Sequence, residues 1–193
     1  MSLLVLGLLV FLGIHSVSIA APHWRERMVL RLGAAPWRIA YSMLSLVGLA
    51  LIIRGFGLAR AMPIVLYSPP AALHTLSRVL MVPVFPLLLA AYLPGRIQSA
   101  ARHPMLVAIK LWAAAHLLAN GSAADVLLFG GFLAWAVIDR ISLKHRPARA
   151  NAATPGAPPG RWNDLIAVVV GLALYALTIG WAHLRLLGVS PLA

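Results

Sequence analysis

In a chain of 193 residues, 62% hydrophobic and 10% charged side chains with a mean hydropathy of +0.91 leave too little polar surface for a water-soluble fold. Sixteen Lys and Arg against four Asp and Glu give a net charge of +12, but the basic residues lie in short stretches between apolar runs. That pattern argues against a nucleic-acid-binding face and reads as a set of membrane-topology signals. The absence of cysteine excludes disulfides, thiolate-held zinc or iron–sulfur sites and covalently attached c-type haem. A metal held by this chain needs histidine.

The apolar runs predict an all-α membrane protein, a six-transmembrane-helix bundle forming a single domain over residues 1–193. The first run covers about residues 2–21. Ser18-Ile19-Ala20 resembles a signal-peptide cleavage site, but no positive segment precedes the run and Arg25, Arg27 and Arg31 follow it, so it reads as a retained helix. The second covers about residues 38–58, with Arg54 and Arg60 placed to reach the headgroups. The third, about residues 71–93, contains Pro83 and Pro86 and is expected to kink. Its outer half carries His74, Ser77, Arg78, Met81 and Phe85 on one face.

Arg102-His103-Pro104 opens the fourth run, about residues 104–119, because the amide that proline lacks has no helical partner in a first turn; Asn120-Gly121 ends it. The fifth, about residues 125–143, follows so closely that the two are expected to be antiparallel neighbours. Residues 144–160 form a basic Pro/Ala linker without periodicity, expected to be mobile. The last run, about residues 164–187, aligns Asp164, Gly171, Tyr175, Thr178, Ala182 and Arg185 in a small and polar stripe suited to close helix contact.

Lys and Arg are concentrated after the first, third and fifth runs, which predicts cytoplasmic basic loops and both termini outside, in the periplasm. At about 1.5 Å per residue, His23, His103 and His145 fall at the cytoplasmic boundary and His74 and His183 near the outer surface. His15, roughly 9 Å in, and His116, roughly 18 Å in, straddle the mid-membrane region. A neutral imidazole at such depth has two justifications, a hydrogen bond to a neighbouring helix or a bond to a metal or haem iron. Both readings stay open for each residue. Trp112 and Asn120 flank His116 at i−4 and i+4 and are candidates to pack on it or orient it. Arg78, the deepest arginine, could hold a haem propionate or an anionic substrate, snorkel, or pair with Asp125. The sequence contains no nucleophile triad, phosphate loop or paired catalytic carboxylates.

Gly13-Ile14-His15-Ser16, Arg102-His103-Pro104-Met105-Leu106, Leu111-Trp112, His116 through Gly121, Leu127 through Gly131 and Leu187-Gly188-Val189-Ser190-Pro191 together resemble the NnrU family of bacterial membrane proteins. That resemblance implies a multi-pass protein of the bacterial inner membrane, linked to denitrification and nitric oxide metabolism. The family is in turn similar to 15-cis-ζ-carotene isomerase, which implies haem b held by His15 and His116. In that isomerase a cysteine stands three residues before the second histidine, where this chain has Ala113; this departure puts the isomerase's redox switch in doubt.

The expected function is haem-dependent electron transfer, redox sensing or nitric-oxide-linked chemistry, or carotene-isomerase-like catalysis, with a hydrophobic substrate or a respiratory redox partner and no nucleic acid. A non-catalytic assembly factor for respiratory enzymes is the alternative from another class. Arg102-His103-Pro104 also resembles a motif of integral-membrane isoprenylcysteine-type methyltransferases, but the later acidic and Arg-rich segment of those enzymes is represented here only by Asp164 and Arg185.

Overall fold

A computed structural model describes residues 1–145 and 156–192. Of the described residues 79% are helical. Among the described residues there is no strand, only an isolated antiparallel bridge between Val65 and Ser122. In chain order the helices are α1 (Ser2–Ala20), α2 (Pro22–Leu32), α3 (Ala34–Ala61), α4 (Ala71–Met81), α5 (Val84–Ala90), α6 (Arg96–Ala101), α7 (Pro104–Ala119), α8 (Ala123–Ser142), α9 (Asn163–Leu177) and α10 (His183–Leu187), with a π-helical turn at Thr178–Ala182 between the last two. The linker expected over residues 144–160 lies largely outside the described residues.

The side chains that these helices bury reverse the pattern of a soluble core. Ala90, Ala108, Ala113, Ala115, Ala136 and Ala167 are fully enclosed, whereas Leu9, Ile53, Val79 and Val169 are more than half exposed. Small residues at helix contacts and large apolar ones facing outward are what a lipid solvent selects, since lipid gives no reason to hide leucine and close packing favours small side chains. Among the described residues four helical stretches are long and apolar enough to cross a membrane: Ser2–Ala20, Ala34–Ala61, Ala71–Ala90 and Asn163–Leu187; α7 is a shorter apolar helix. The 20-residue α8 carries Asp125, Asp139 and Arg140.

The chain divides into two compact units, Met1–Ser68 with Asn120–Ser142 and Pro69–Ala119 with Leu143–Ala193. In the first, α1 and α3 pack antiparallel along a glycine seam. A Cβ on Gly7 would lie 2.6 Å from the Ile52 amide nitrogen, one on Gly48 would lie 2.8 Å from that of Phe11, and one on Gly55 would run into the Leu4 backbone. The stretch from Ile64 to Tyr67 closes over the start of α8. The amides of Leu66 and Tyr67 donate to the Gly121 carbonyl and that of Ala123 to the Ile64 carbonyl. Ser122 and Asp125 form a capping box at the α8 N-terminus: the Asp125 amide donates to Ser122 Oγ, while the carboxylate accepts from the Ser122 amide and hydroxyl. That carboxylate is thereby committed at its own helix terminus.

Tyr67 adds a hydroxyl bond of 2.8 Å to the Asn120 carbonyl. Burial, and secondarily the Asp125 charge, raise its pKa above the ordinary 10.0. A raised folded-state pKa stabilises the fold below pH 10, and that stability is lost as pH rises through the folded value, because tyrosinate cannot donate. Tyr67→Phe is expected to cost about 0.5–1.5 kcal/mol at neutral pH and to flatten the alkaline fall in melting temperature, read from thermal scans on either side of the tyrosine range.

In the second unit, α7 packs on α4 and α5, and α9 on α5. The expected kink is an interruption at Val82–Pro83 between α4 and α5. Neither Pro83 nor Pro86 has an amide to continue the ladder, and Pro86 falls in the first turn of α5, where none is required. Gly171 of α9 lies against Pro86, where an added Cβ would be 2.5 Å from the proline nitrogen.

The α7 bounds coincide with those expected from His-Pro and Asn-Gly. Other expectations are corrected. Helices α7 and α8, expected to be antiparallel neighbours, fall in different units; within the first unit α8 packs on α1 and α3. The basic stretch after the first run is a helix, α2, rather than a loop. The second run extends from about residues 38–58 to Ala34–Ala61, since Pro36 falls in the first turn, where its missing amide has no helical partner, and the next proline is Pro63.

Candidate functional site

Histidine 15 sits near the C-terminal end of α1, with its Nδ1 2.6 Å from the Phe11 carbonyl oxygen. A carbonyl only accepts, so Nδ1 carries a proton; in the tautomer of the neutral imidazole that this bond selects, the lone pair is at Nε2. The ring stacks on Phe11 at 4.2 Å, with Tyr41 of α3 at 5.2 Å and Trp135 of α8 edge-on at 6.0 Å. The glycine seam makes this grouping: Gly48 touches the Phe11 backbone, so Tyr41, two turns earlier on α3, comes beside His15, one turn later on α1. The Trp135 indole nitrogen is buried without a hydrogen-bond acceptor among the described residues.

Histidine 116 repeats the local arrangement in the other unit. Its Nδ1 lies 2.8 Å from the Trp112 carbonyl oxygen, and the two rings are 5.4 Å apart. Ala113 and Ala115 beside it are fully buried, so α7 meets its neighbours closely on both sides of the histidine. Trp112 is thus brought to His116, as the spacing predicts. Asn120 is placed one residue beyond the end of α7, in the first unit, where its carbonyl receives the Tyr67 hydroxyl.

Arg78 is used inside the second unit: its guanidinium donates to the Pro191 carbonyl at 3.3 Å and to Thr75 Oγ1 at 3.1 Å, while its own carbonyl accepts from the Tyr175 hydroxyl. His183 Nδ1 donates to the Val189 carbonyl, 2.7 Å away, so the same C-terminal tail is held at two points. His74 is exposed. Arg102 has a positive φ of 59°, and the His103 amide donates back to Ala101 at 2.6 Å, a tight reversal that delivers Pro104 to the first position of α7. Among the described residues no three His, Cys, Asp or Glu side chains gather to hold a metal ion.

Two features go beyond what the sequence indicates, the partners of Asp164 and Asn163 and the aromatic group around His15. Asp164 accepts from the Arg96 amide at 2.8 Å and the Ile97 amide at 3.0 Å, capping α6 from a distant helix, and Asn163 Nδ2 donates to the Pro94 and Pro158 carbonyls. The aromatic group around His15 has no sequence pattern, because its members are spread over α1, α3 and α8, far apart in the chain.

Residues 3–191, nearly the whole chain, match the family described as NnrU protein. The chain belongs to the NnrU family. Among curated proteins and among solved structures nothing matches it. For this NnrU-family chain, fold and side-chain chemistry therefore carry the functional argument.

Proposed function

We propose that this NnrU-family protein crosses a bacterial inner membrane six times, with both termini outside and its basic loops cytoplasmic, and that His15 and His116 would be the residues to hold haem b. The observation that carries the ligand assignment is the bond each imidazole makes to the carbonyl four residues back. It fixes the tautomer whose Nε2 can bind iron and orients the ring by a second interaction, as ligating histidines require. The unsatisfied Trp135 N–H beside His15 fits a group that brings an acceptor oxygen, as a haem propionate does. Haem, when bound, supplies a one-electron couple inside the membrane.

The role follows as electron transfer or redox sensing in denitrification and nitric-oxide-linked metabolism. Ala113 has no thiol to exchange with His116 on reduction, which weighs against carotene-isomerase-like switching. An absorption spectrum of the purified protein tests the reading. A Soret band in the wild type that is lost in both His15→Ala and His116→Ala is the expected result; a colourless protein from haem-replete cells removes it.

A further inference from the structure

We infer that α2 is an in-plane helix that docks on the headgroup layer of the membrane and binds anionic phospholipids there. Its tethers place it. Ala21 alone joins it to α1 and Gly33 alone joins it to α3, and both flanking helices are long and apolar enough to span a bilayer. The seam contacts of Gly7 with Ile52, Phe11 with Gly48 and Leu4 with Gly55 run in opposite directions along the two helices, so Ala20 and Ala34 end on the same side. One residue of chain reaches at most about 3.6 Å. The 11-residue α2, about 16 Å long, must therefore lie against the surface where α1 ends and α3 begins.

Its side chains suit that surface. No residue of α2 is buried. On the helical wheel Trp24, Met28, Val29 and Leu32 share one half, and His23, Glu26, Arg27 and Arg31 the other, with Arg25 and Leu30 as exceptions. Trp24 and Leu32 expose about half of their surface, 45% and 55%. Trp24 meets Trp37 edge-on at 5.9 Å, an aromatic pair at the boundary where such rings concentrate. Glu26, the one acidic residue of α2, lies 3.8 Å from His23. Arg25, Arg27 and Arg31 have no carboxylate within ion-pair distance among the described residues. An apolar half facing acyl chains with arginines at headgroup level is the arrangement that draws a helix onto an anionic leaflet.

The 193-residue sequence contains no cysteine, so single nitroxide labels at Glu26→Cys and Leu32→Cys report on α2 cleanly in reconstituted vesicles of phosphatidylcholine with phosphatidylglycerol. The label at position 32 is expected to collide with oxygen dissolved in lipid, and that at 26 with a water-soluble nickel chelate. Both labels reached by nickel would mean a helix lifted into water; both shielded from either reagent would mean a protein cover such as a second copy. Either overturns the inference. In Arg27→Gln/Arg31→Gln the preference of the α2 surface for phosphatidylglycerol over phosphatidylcholine should fall about five-fold per arginine. An unchanged preference also overturns it.

Discussion

Gly55→Ala should lower the unfolding free energy by about 1–3 kcal/mol, the usual cost of forcing extra volume into a packed interior, whereas Gly57→Ala on the same helix should raise it by up to about 1 kcal/mol. The two glycines differ only in what an added carbon meets. At Gly55 it runs into backbone atoms of Leu3 and Leu4, and at Gly57 nothing lies within 4 Å. Backbone cannot rotate away as a side chain can, so α1 and α3 must separate along the seam. Where nothing obstructs, alanine gains from its better helix propensity. Titration with sodium dodecyl sulfate in mixed micelles, followed by circular dichroism, reads both variants on one scale. Finding Gly55→Ala as stable as Gly57→Ala would show that the seam is not closely packed. Because the seam brings Tyr41 beside His15, the destabilised variant should also disturb the aromatic group around that histidine.

Asp164→Ala removes the acceptor of two amides at once, and the loss should be about 1–2 kcal/mol, the lower part of the range for unsatisfied donors because water reaches this edge. The signature is local. Amide exchange over α6 should accelerate while α1 and α3 keep their protection, since the Arg96 and Ile97 amides are the first donors of a six-residue helix with little else to hold it. Asp164→Asn should lie between wild type and Ala, because a carboxamide keeps one acceptor oxygen and turns a donor toward the second amide. Unaltered exchange across residues 94–101 in Asp164→Ala would remove the clamp from the account.

How far the sequence foretells this molecule depends on whether a signal is local. The bounds of α7 could be read because proline after histidine and glycine after asparagine are backbone instructions carried by the residues themselves. The break at Val82–Pro83 could be read for the same reason. Helix α2 could not. Its three arginines resemble a loop between membrane spans, and its amphipathic halves are interrupted by Arg25 and Leu30.

The candidate site divides likewise. His15 and His116 stand out by depth alone, and Trp112 by helical spacing, but Tyr41 and Trp135 are recruited by contacts between helices that no spacing encodes. The stripe on the last run found real partners in its first half, Asp164 at α6, Gly171 at Pro86 and Tyr175 at Arg78, and then departed from regular spacing.

That departure originates at Thr178–Ala182, where five residues make a wide turn. A π-turn inserts one residue into a helix, so everything after it is rotated by about 100° from the phase that the first three turns establish. Arg185, which regular spacing would align with Gly171 and Tyr175, is accordingly exposed, and His183 is the side chain aimed at the tail. The last helix thus carries two successive faces, one for Asp164 through Tyr175 and another for His183. Its widened turn works as a phase-shifter: shortening it by a single residue would swing the imidazole away from Val189 and leave the C-terminal segment hanging from the Arg78 contact alone.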